Sequence, residues 1–227
     1  MRILAFDTAG PALSIAITDG ARVRSALHLP LQQGHAELLL PAIEGCLSAA
    51  GLALASLNAI AATVGPGSFT GLRTGLAAAQ GLALGAEKPL VGIGRFEALA
   101  EASGLLGREA LAVAMDSKAR SLYAQAFDAT AAVAPGWPAE GCNAVAEDLA
   151  DAPWPAGAWV VGDGAAALLA AGAPLRPTEW AQLPAAAVAA CARRALAAGH
   201  HGLPPQPLYL APPRAVLPRD GGRLRRR

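Results

Sequence analysis

The sequence predicts an α/β protein of two units, each a set of strands flanked by helices. Three observations lead to this prediction. Three strand-length segments open the chain, helices and strands then alternate up to about residue 102, and a second alternation begins near residue 110. The chain has 227 residues, 54% of them hydrophobic, which is enough for one large core or two small ones.

The first unit begins with three strands, at residues 2–7, 12–18 and 21–29. Asp19-Gly20 between the second and third strands is a favoured hairpin turn, so we expect these strands to be antiparallel. A helix follows over residues 34–50, and Gly51 is its C-terminal stop.

The rest of the first unit alternates strand and helix. The predicted elements are a strand at 58–64, a helix at 69–86, a strand at 89–93 and a short helix at 96–102.

The second unit has the same character. Strands are predicted at 110–115, 122–127 and 159–161, and helices at 145–150, up to 171, and at 184–198. We place the domains at 1–103 and 104–227. The segment from about residue 200 is expected to return to the first unit.

A glycine-rich turn connects the strand at 58–64 to its helix. Gly65-Pro66-Gly67 stops the strand, and Ser68 or Thr70 can cap the helix. Such a turn often presents backbone N–H groups, which bind phosphates in other folds. Its spacing matches neither the GxxxxGK[ST] loop nor the dinucleotide fingerprint, so the motif gives a nucleotide-binding interpretation little support.

The helix at 69–86 carries small residues on one face, among them Gly71, Gly75, Ala78 and Ala79. Glycine inside a helix costs about 0.5–1 kcal/mol relative to alanine, so another element must approach this face closely. Two alternatives remain open at this point. The face packs on the protein's own sheet, or it packs on a helix of another chain.

Charge is scarce and unevenly spread. Only 15% of the residues are charged, which suggests that a partner covers some apolar surface. The net charge is +1, but residues 219–227 hold five arginines and one aspartate. Without them 13 basic and 16 acidic groups remain, a net charge of −3. The body is therefore no obvious nucleic-acid binder, and the tail is either a solvated terminus or a phosphate contact.

Cysteine usage indicates a reducing compartment. Cys46, Cys142 and Cys191 are odd in number and far apart, and no CxxC occurs. Asp7 interrupts any signal-peptide core, and no run of 18 apolar residues is present. We therefore expect a cytoplasmic protein without a membrane span.

Three segments together resemble the TsaB family, formerly called YeaZ: ILAFDTAG at 3–10, GHAELLLPAIEGCL at 34–47 and GPGSFTGLRTGLAAAQGLA at 65–83. The resemblance continues more loosely through MDSKARSLYAQAF, GDGA and LYLAPPRA. It implies an actin-like fold of the ASKHA, ribonuclease H-like class, with two α/β subdomains whose mixed sheets are flanked by helices.

The resemblance also implies a function. Members of the family are non-catalytic dimerisation subunits that pair with the TsaD-type subunit, which forms threonylcarbamoyladenosine in tRNA next to the anticodon. They pair through their first two helices, so we expect the interface at His35, Leu38, Leu39, Ala42, Ile43, Cys46, Leu47, Gly71, Leu72, Gly75, Ala78, Ala79 and Leu82. Gly75→Leu is then expected to abolish pairing in a folded monomer, and Leu39→Asp or Ile43→Asp to disrupt it.

Partners and cofactors follow from the same resemblance. We expect a heterodimer with the TsaD-type subunit, a TsaE-type ATPase in the full complex, and tRNA contact mainly through that complex; a homodimer through the same helices stays open. The chain is expected to hold no cofactor or metal of its own, with the metal on the partner and ATP conceivable at the shared interface.

One group of residues could serve either a nucleotide or an interface. Asp7 ends the first strand beside Thr8, where actin-like ATPases place a carboxylate, although a turn-capping role is the simpler interpretation. Arg73 could reach a carboxylate or phosphate across an interface. The complete group is Asp7, Thr8, Gly65, Pro66, Gly67, Ser68 and Arg73.

A second class of function is a stand-alone actin-like enzyme, either an ATP-dependent kinase or a glycoprotease-type metallopeptidase. His28, His35, His200 and His201 provide neither an HxxxH pair nor HExxH, and Ser68 lies outside a GxSxG elbow. We therefore expect no catalytic residue in this chain.

Two segments depart from the family pattern. The loop after the strand at 110–115 reads Asp116-Ser117-Lys118, with Ser121 before Leu122-Tyr123, which leaves its role open. The C-terminal Tyr-Leu-Arg of the family is Tyr209-Leu210-Ala211 here, with Arg214 three residues later.

Overall fold

A computed structural model describes residues 1–31, 33–179 and 182–210. The first sheet has five strands in the order β3-β2-β1-β4-β5. β2 lies antiparallel to β1 and β3, whereas β4 runs parallel to β1 and to β5. The strands are β1 (Arg2–Asp7), β2 (Ala12–Asp19), β3 (Arg22–Pro30), β4 (Ala59–Gly65) and β5 (Leu90–Gly94).

The second sheet repeats this mixture with shorter strands, in the order β10-β9-β6-β7-β8. β6 is antiparallel to β7 and parallel to β9, just as β1 is antiparallel to β2 and parallel to β4. The strands are β6 (Leu111–Asp116), β7 (Leu122–Phe127), β8 (Cys142–Ala144), β9 (Trp159–Val161) and β10 (Arg176–Pro177).

Six α-helices and one 3-10 turn complete the described part of the chain. The helices are α1 (His35–Ala50), α2 (Phe69–Ala86), α3 (Arg95–Ala102), α4 (Ala146–Ala150), α5 (Ala165–Ala170) and α6 (Ala185–Ala197), and the 3-10 turn is Leu54–Ser56. Gly34 and Gly51, both with positive φ, bound α1. Ser68 caps α2, because its hydroxyl accepts a hydrogen bond from the Gly71 N–H at 3.2 Å.

The helices and sheets form layers. α1 and α2 pack on one face of the first sheet, and α3 and α6 fill the space between the two sheets. The outer face of the second sheet buries a third cluster that includes Leu149 of α4 and Leu168 of α5. α6 comes from the second half of the chain but contacts β1 and β2 of the first sheet.

β1 is buried because both of its faces are covered. Leu4 and Phe6 point toward the α1–α2 layer, whereas Ile3 and Ala5 point toward the α3–α6 layer. All four side chains are fully buried. An apolar run without polar alternation, here the four residues from Ile3 to Phe6, is what a strand covered on both faces requires.

The predicted fold is confirmed: two mixed sheets flanked by helices, with the strand order of the actin-like fold. The first unit has the predicted order of elements. β8 (CNA) and β10 (RP) were not predicted, because they lack the run of apolar residues that identified the equally short β9. The division of the chain at residue 103 stays a prediction.

Residues 201–210, here called the C-terminal clip, lie against the first sheet and α2. Leu203 forms an antiparallel bridge with Gly92 of β5, and the Leu208 N–H donates to the Val64 carbonyl at 2.7 Å. The Gln80 amide of α2 donates to the Pro205 carbonyl at 3.1 Å. The clip thereby extends the free edge of β5.

No helix in the described part of the chain has the length and apolar character needed to span a membrane. The arginine-rich tail and Arg214 lie outside the described residues.

Candidate functional site

Three parallel strands end at the same edge of the first sheet, and this edge carries the residues that the sequence singled out. β1 ends at Asp7, β4 runs into the Gly65-Pro66-Gly67 turn, and β5 ends at Gly94 just before Arg95. Because the carboxyl ends of parallel strands meet, residues far apart in sequence lie together here.

Asp7 is 3% exposed and fully engaged at this edge. One carboxylate oxygen, Oδ1, accepts a hydrogen bond from the Thr63 hydroxyl at 2.5 Å and one from the Ala9 N–H at 3.2 Å. The same oxygen lies 3.3 Å from Nε of Arg95. Asp7 therefore caps its turn, as the simpler interpretation predicted, and it also belongs to a buried ion pair that the sequence analysis did not anticipate.

Arg95 opens α3 and is 7% exposed. Its Nη1 donates to the Pro66 carbonyl at 2.9 Å, so the guanidinium links the β4–α2 turn to Asp7. The Nε–H is buried close to Asp7 but is not aligned for a regular hydrogen bond. We regard the contact as an ion pair, because at this burial and distance the opposite charges still attract strongly.

The glycines of these turns leave the room that Arg95 occupies. A Cβ at Gly10 would lie 2.6 Å from Nη2 of Arg95, and one at Gly67 would lie 2.9 Å from Nη1 and 2.5 Å from the Ala9 carbonyl oxygen. Gly65 has a φ of 120°, which a residue with a side chain rarely adopts. The glycine-rich turn is thus packed around a side chain of its own chain.

The second sheet places its own acidic residues opposite this edge. Oδ1 of Asp163, in the Gly162-Asp163-Gly164 turn after β9, accepts a hydrogen bond from the Asp116 N–H at 2.9 Å. Oδ2 of Asp116 in turn lies 2.8 Å from Nζ of Lys118, which donates a hydrogen bond to it. This hydrogen bond is the largest contribution to a raised pKa of the Lys118 ammonium.

The cleft between the two edges is small. A cavity of about 70 Å³ is lined by Asp7, His28, Arg95 and Asp163 among others. Sites for small ligands have volumes of about 300–1,000 Å³, so the cleft in this conformation has room for a few water molecules. Nucleotide binding by Asp7, Thr8 and the 65–68 turn stays a prediction.

The inner face of α2 is filled by the protein's own β1–β2 turn. The Thr8 hydroxyl donates to the Gly71 carbonyl at 2.8 Å, and a Cβ at Gly71 or Gly75 would overlap atoms of Thr8. The first of the two alternatives for these glycines therefore holds. This packing argues against the expectation that Gly75→Leu leaves the monomer folded, because a larger side chain would overlap Thr8, which is itself buried and hydrogen-bonded there.

The remaining predicted interface residues divide between core and surface. Leu39, Ile43, Cys46, Leu47, Leu72 and Ala79 are buried within the chain. The structure corrects the expectation that these six residues form the interface. Their side chains fill the core under α1 and α2, so Leu39→Asp and Ile43→Asp would damage the fold. Leu38 is exposed, and His35, Ala42, Ala78 and Leu82 are half-buried.

A second set of small and apolar residues faces outward from α1 and α2. Leu84 is 83% exposed, and a Cβ at Gly45, Gly81 or Gly85 would meet no atom within 4 Å. Arg73 is the one charged residue of α2 in the sequence. Other exposed residues of this outward face are Leu38, Leu40, Ala49, Thr70 and Ala77. We call the following exposed residues the α1–α2 face: Leu38, Leu40, Gly45, Ala49, Thr70, Ala77, Gly81, Leu84 and Gly85.

A much larger cavity, of about 950 Å³, is lined by Gly65 and Gly94 of the same sheet edge but not by Asp7. The C-terminal clip forms one wall with Leu203 and Leu208, and Phe96, Phe127 and Val133 form apolar walls. Glu97 and Glu101 also line this cavity, and both are ion-paired with Arg194.

Within the described residues, no three His, Cys, Asp or Glu side chains group as metal ligands would. His35 begins α1, and its Nε2 is buried without a hydrogen-bond partner there. The prediction that the chain holds no metal stays a prediction.

Sequence reasoning missed Arg95, Thr63 and Tyr209. Arg95 follows β5 directly, and alternating strands and helices are typical of parallel strands, whose carboxyl ends meet at one edge of the sheet, so a signal was present that the sequence analysis did not use. The Tyr209 hydroxyl accepts a hydrogen bond from Nε of Arg73 at 3.1 Å. No local pattern connects residues 136 positions apart.

The chain was compared with known families. The sequence model of the family described as "TsaD: tRNA N6-adenosine threonylcarbamoyltransferase" matches residues 30–157, more than half of the chain. The matched residues include α1 and α2, which pack on the first sheet, and extend to β8 and α4 of the second half of the chain.

Two curated relatives are named tRNA threonylcarbamoyladenosine biosynthesis protein TsaB. The one from Escherichia coli K12 is 38% identical over 124 residues, which cover 54% of this chain and 53% of the relative. The one from Haemophilus influenzae is 36% identical over 124 residues, which cover 54% and 52%. The chain thus spans about half the length of the curated relatives it matches.

One solved structure extends the similarity over nearly the whole chain. YeaZ from Pseudomonas aeruginosa is 28% identical, superposes with a TM-score of 0.77, and is matched over 92% of this chain and 99% of its own. The shared fold, the family match and the sequence identity agree. The chain belongs to the TsaB (YeaZ) family.

Proposed function

We propose that this chain is the non-catalytic partner of a TsaD-type subunit in threonylcarbamoyl transfer to the adenosine of tRNA next to the anticodon. The observation that carries the proposal is the α1–α2 face, which combines exposed apolar residues with helix glycines that have open space beside them. The names of the TsaB relatives support the same tRNA modification.

The glycines of the two helices separate into two groups. Gly71 and Gly75 are explained by Thr8, which packs against them. A Cβ at Gly45, Gly81 or Gly85 would meet no atom within 4 Å, although each glycine costs its helix about 0.5–1 kcal/mol relative to alanine. A helix of a partner that approaches these glycines closely would repay this cost by burying apolar area, at about 25 cal/mol per Å².

The cleft supports a role without chemistry of the chain's own. Asp7 stands where actin-like enzymes have a carboxylate that binds phosphate and metal. In the described part of this chain it is paired with Arg95, and both residues line a cavity of about 70 Å³. A TsaE-type ATPase in the full complex and ATP at the shared interface remain parts of the proposal. The alternative of a stand-alone kinase or metallopeptidase finds no favourable observation in the site.

The experiment is pairing with a purified TsaD-type subunit, followed by threonylcarbamoyl transfer to tRNA. Leu84→Glu and Gly81→Leu alter positions with free space around them, so both variants should fold. Each should weaken pairing by about tenfold or more, since a buried charge or a blocked helix approach costs over 1 kcal/mol, and transfer activity should fall in parallel.

Val145→Glu is the matched control. Val145 is also exposed and apolar, at 38%, but lies beside α4 on the second sheet. It should pair like the unaltered protein. Circular dichroism must show that all variants are folded. If the unaltered chain does not pair, or if transfer proceeds fully with Leu84→Glu, the proposed function is contradicted.

A further inference from the structure

We infer that the partner contact extends from the α1–α2 face onto a cluster of Phe69, Arg73 and Tyr209, where Arg73 binds a carboxylate of the partner protein. This inference rests on the proposed function, because it names a contact of the same partner. The cluster joins the start of α2 to the C-terminal clip.

Three contacts hold the Arg73 side chain in one place. Its guanidinium carbon lies 3.9 Å from the centre of the Phe69 ring. Its Nε donates to the Tyr209 hydroxyl at 3.1 Å. The rings of Phe69 and Tyr209 stack with centroids 5.0 Å apart and an interplanar angle of 28°. Stacking and cation–π contacts of this kind restrict a side chain that would otherwise be mobile.

The cluster is nevertheless open to solvent. Phe69 is 42% exposed and Tyr209 is 41% exposed, and Arg73 is exposed as well. The N–H groups on the two Nη nitrogens of Arg73 have no acceptor within residues 1–31, 33–179 and 182–210. A planar pair of donors fits a carboxylate through two parallel hydrogen bonds, and its fixed position reduces the entropy lost on binding.

The residue types also fit a protein interface. Aromatic residues and arginine are enriched at the centres of protein interfaces, where they contribute most of the binding energy. Phe69 and Arg73 belong to α2, the helix that contributes Gly81 and Leu84 to the α1–α2 face. The cluster therefore continues that face at the start of the helix.

The charge pattern favours a carboxylate over nucleic acid. Arg73 is the only basic residue of α2, and α1 carries Glu37 and Glu44 but no lysine or arginine. Binding to a nucleic-acid backbone uses several cations along one surface. A single fixed guanidinium among apolar residues suits one acidic side chain of a protein.

The test measures the dissociation constant of the heterodimer with the TsaD-type subunit for a graded series of variants. Arg73→Gln should raise the dissociation constant by about tenfold or more. Arg73→Lys should raise it nearly as much, because an ammonium cannot form the paired hydrogen bonds. Tyr209→Phe should raise it by about threefold, since the stack remains and only the hydroxyl that fixes Nε is lost. Arg22→Gln, an exposed arginine beside the β2–β3 turn, is the control and should have no effect.

The outcomes separate the two proposals. If Leu84→Glu weakens pairing but Arg73→Gln and Arg73→Lys do not, the α1–α2 face is the interface and the inference about Arg73 is overturned. If Arg73→Gln leaves pairing unchanged but weakens tRNA binding by the assembled pair, the contact is with nucleic acid, which also overturns it. If the unaltered chain does not pair, the proposed function fails and this inference fails with it.

Discussion

Asp7 and Arg95 show how a single buried pair can define an edge of the fold. Both residues are more than nine-tenths buried, and together they connect the end of β1, the β4–α2 turn and the start of α3. A buried pair of this kind contributes little net stability compared with apolar side chains of the same size. Removing one partner is costly, however, because the other charge is left without compensation.

The first prediction follows from this asymmetry. Arg95→Met should lower the free energy of unfolding by about 3–5 kcal/mol, because Asp7 then remains as an unpaired buried charge. Asp7→Asn should also destabilise, since Arg95 loses its counter-ion. The double variant should lose clearly less than the sum of the two single losses. Urea denaturation of the four proteins measures the coupling.

The same four unfolding free energies can also contradict this prediction. Additive losses, within about 0.5 kcal/mol, would mean that Asp7 and Arg95 do not interact. Arg194→Met is a suitable control, because its ion pairs with Glu97 and Glu101 are partly exposed. Exposed pairs contribute only about 0–1 kcal/mol, so this variant should change stability much less.

At the scale of elements, α2 contains glycines with two different purposes. Gly75 faces Thr8 of the β1–β2 turn, whereas Gly81 faces open space. Their sequence surroundings are similar, since each follows a polar residue and precedes a leucine. Helical spacing identifies the face of each residue but not what lies against it.

The second prediction uses this pair of glycines. Gly75→Ala should lower the free energy of unfolding by about 1–3 kcal/mol, because the added methyl group would overlap the buried Thr8 hydroxyl. Gly81→Ala should raise it by about 0.5–1 kcal/mol, because alanine is the better helix former and finds free space. Thermal or urea unfolding of the isolated chain decides the matter, and equal effects at both positions would contradict the assignment of the two faces.

Sequence patterns determined the long elements and their order but not the tertiary contacts. The sequence predicted the helix α1, but it assigned Leu39, Ile43 and Leu47, three apolar residues on one face of that helix, to a partner interface, whereas they are buried within the chain. The apolar pattern could not show that these residues face the sheet rather than a partner, because both environments require apolar side chains.

The candidate site was predictable where adjacent residues define it. The Ser68 cap and the turn at 65–67 are local features, and the sequence predicted them. The pairing of Asp7 with Arg95 and of Arg73 with Tyr209 depends on strand order and on the course of the C-terminal clip. Such contacts arise only when the whole chain is folded.

At the scale of the whole molecule, the two halves of the chain are interleaved. α6, from the second half, packs on β1 and β2, and the C-terminal clip pairs with β5. The core between the sheets contains residues of both, from Ile3 of β1 to Val161 of β9. Partial unfolding of one half would therefore expose apolar surface of the other, and we expect cooperative unfolding.

The clip also completes the first sheet. Without it, β5 would be an open edge strand, and open edges expose unpaired N–H and carbonyl groups to other chains. The Leu203 N–H donates to the Gly92 carbonyl at 2.9 Å, and the Gly92 N–H donates to the His201 carbonyl at 3.3 Å. Leu208 and Gln80 add further hydrogen bonds along the clip, to Val64 and Pro205.

The last prediction tests this role by truncation. A chain that ends at Gly199 loses the whole clip, whereas a chain that ends at Leu210 keeps every contact just described. Each lost hydrogen bond contributes about 0.5–1.5 kcal/mol net, and the apolar contacts of Leu208 and Leu210 add to this. The shorter chain should therefore be less stable than the longer one by about 3 kcal/mol or more, with a lower urea midpoint.

Self-association provides an independent readout of the same truncation. The exposed edge of β5 should make the shorter chain form concentration-dependent oligomers in size-exclusion chromatography. The longer chain, in which residues 201–210 cover this edge, should not form such oligomers. Equal midpoints and equal elution of the two truncated chains would show that residues 201–210 are dispensable for the first sheet.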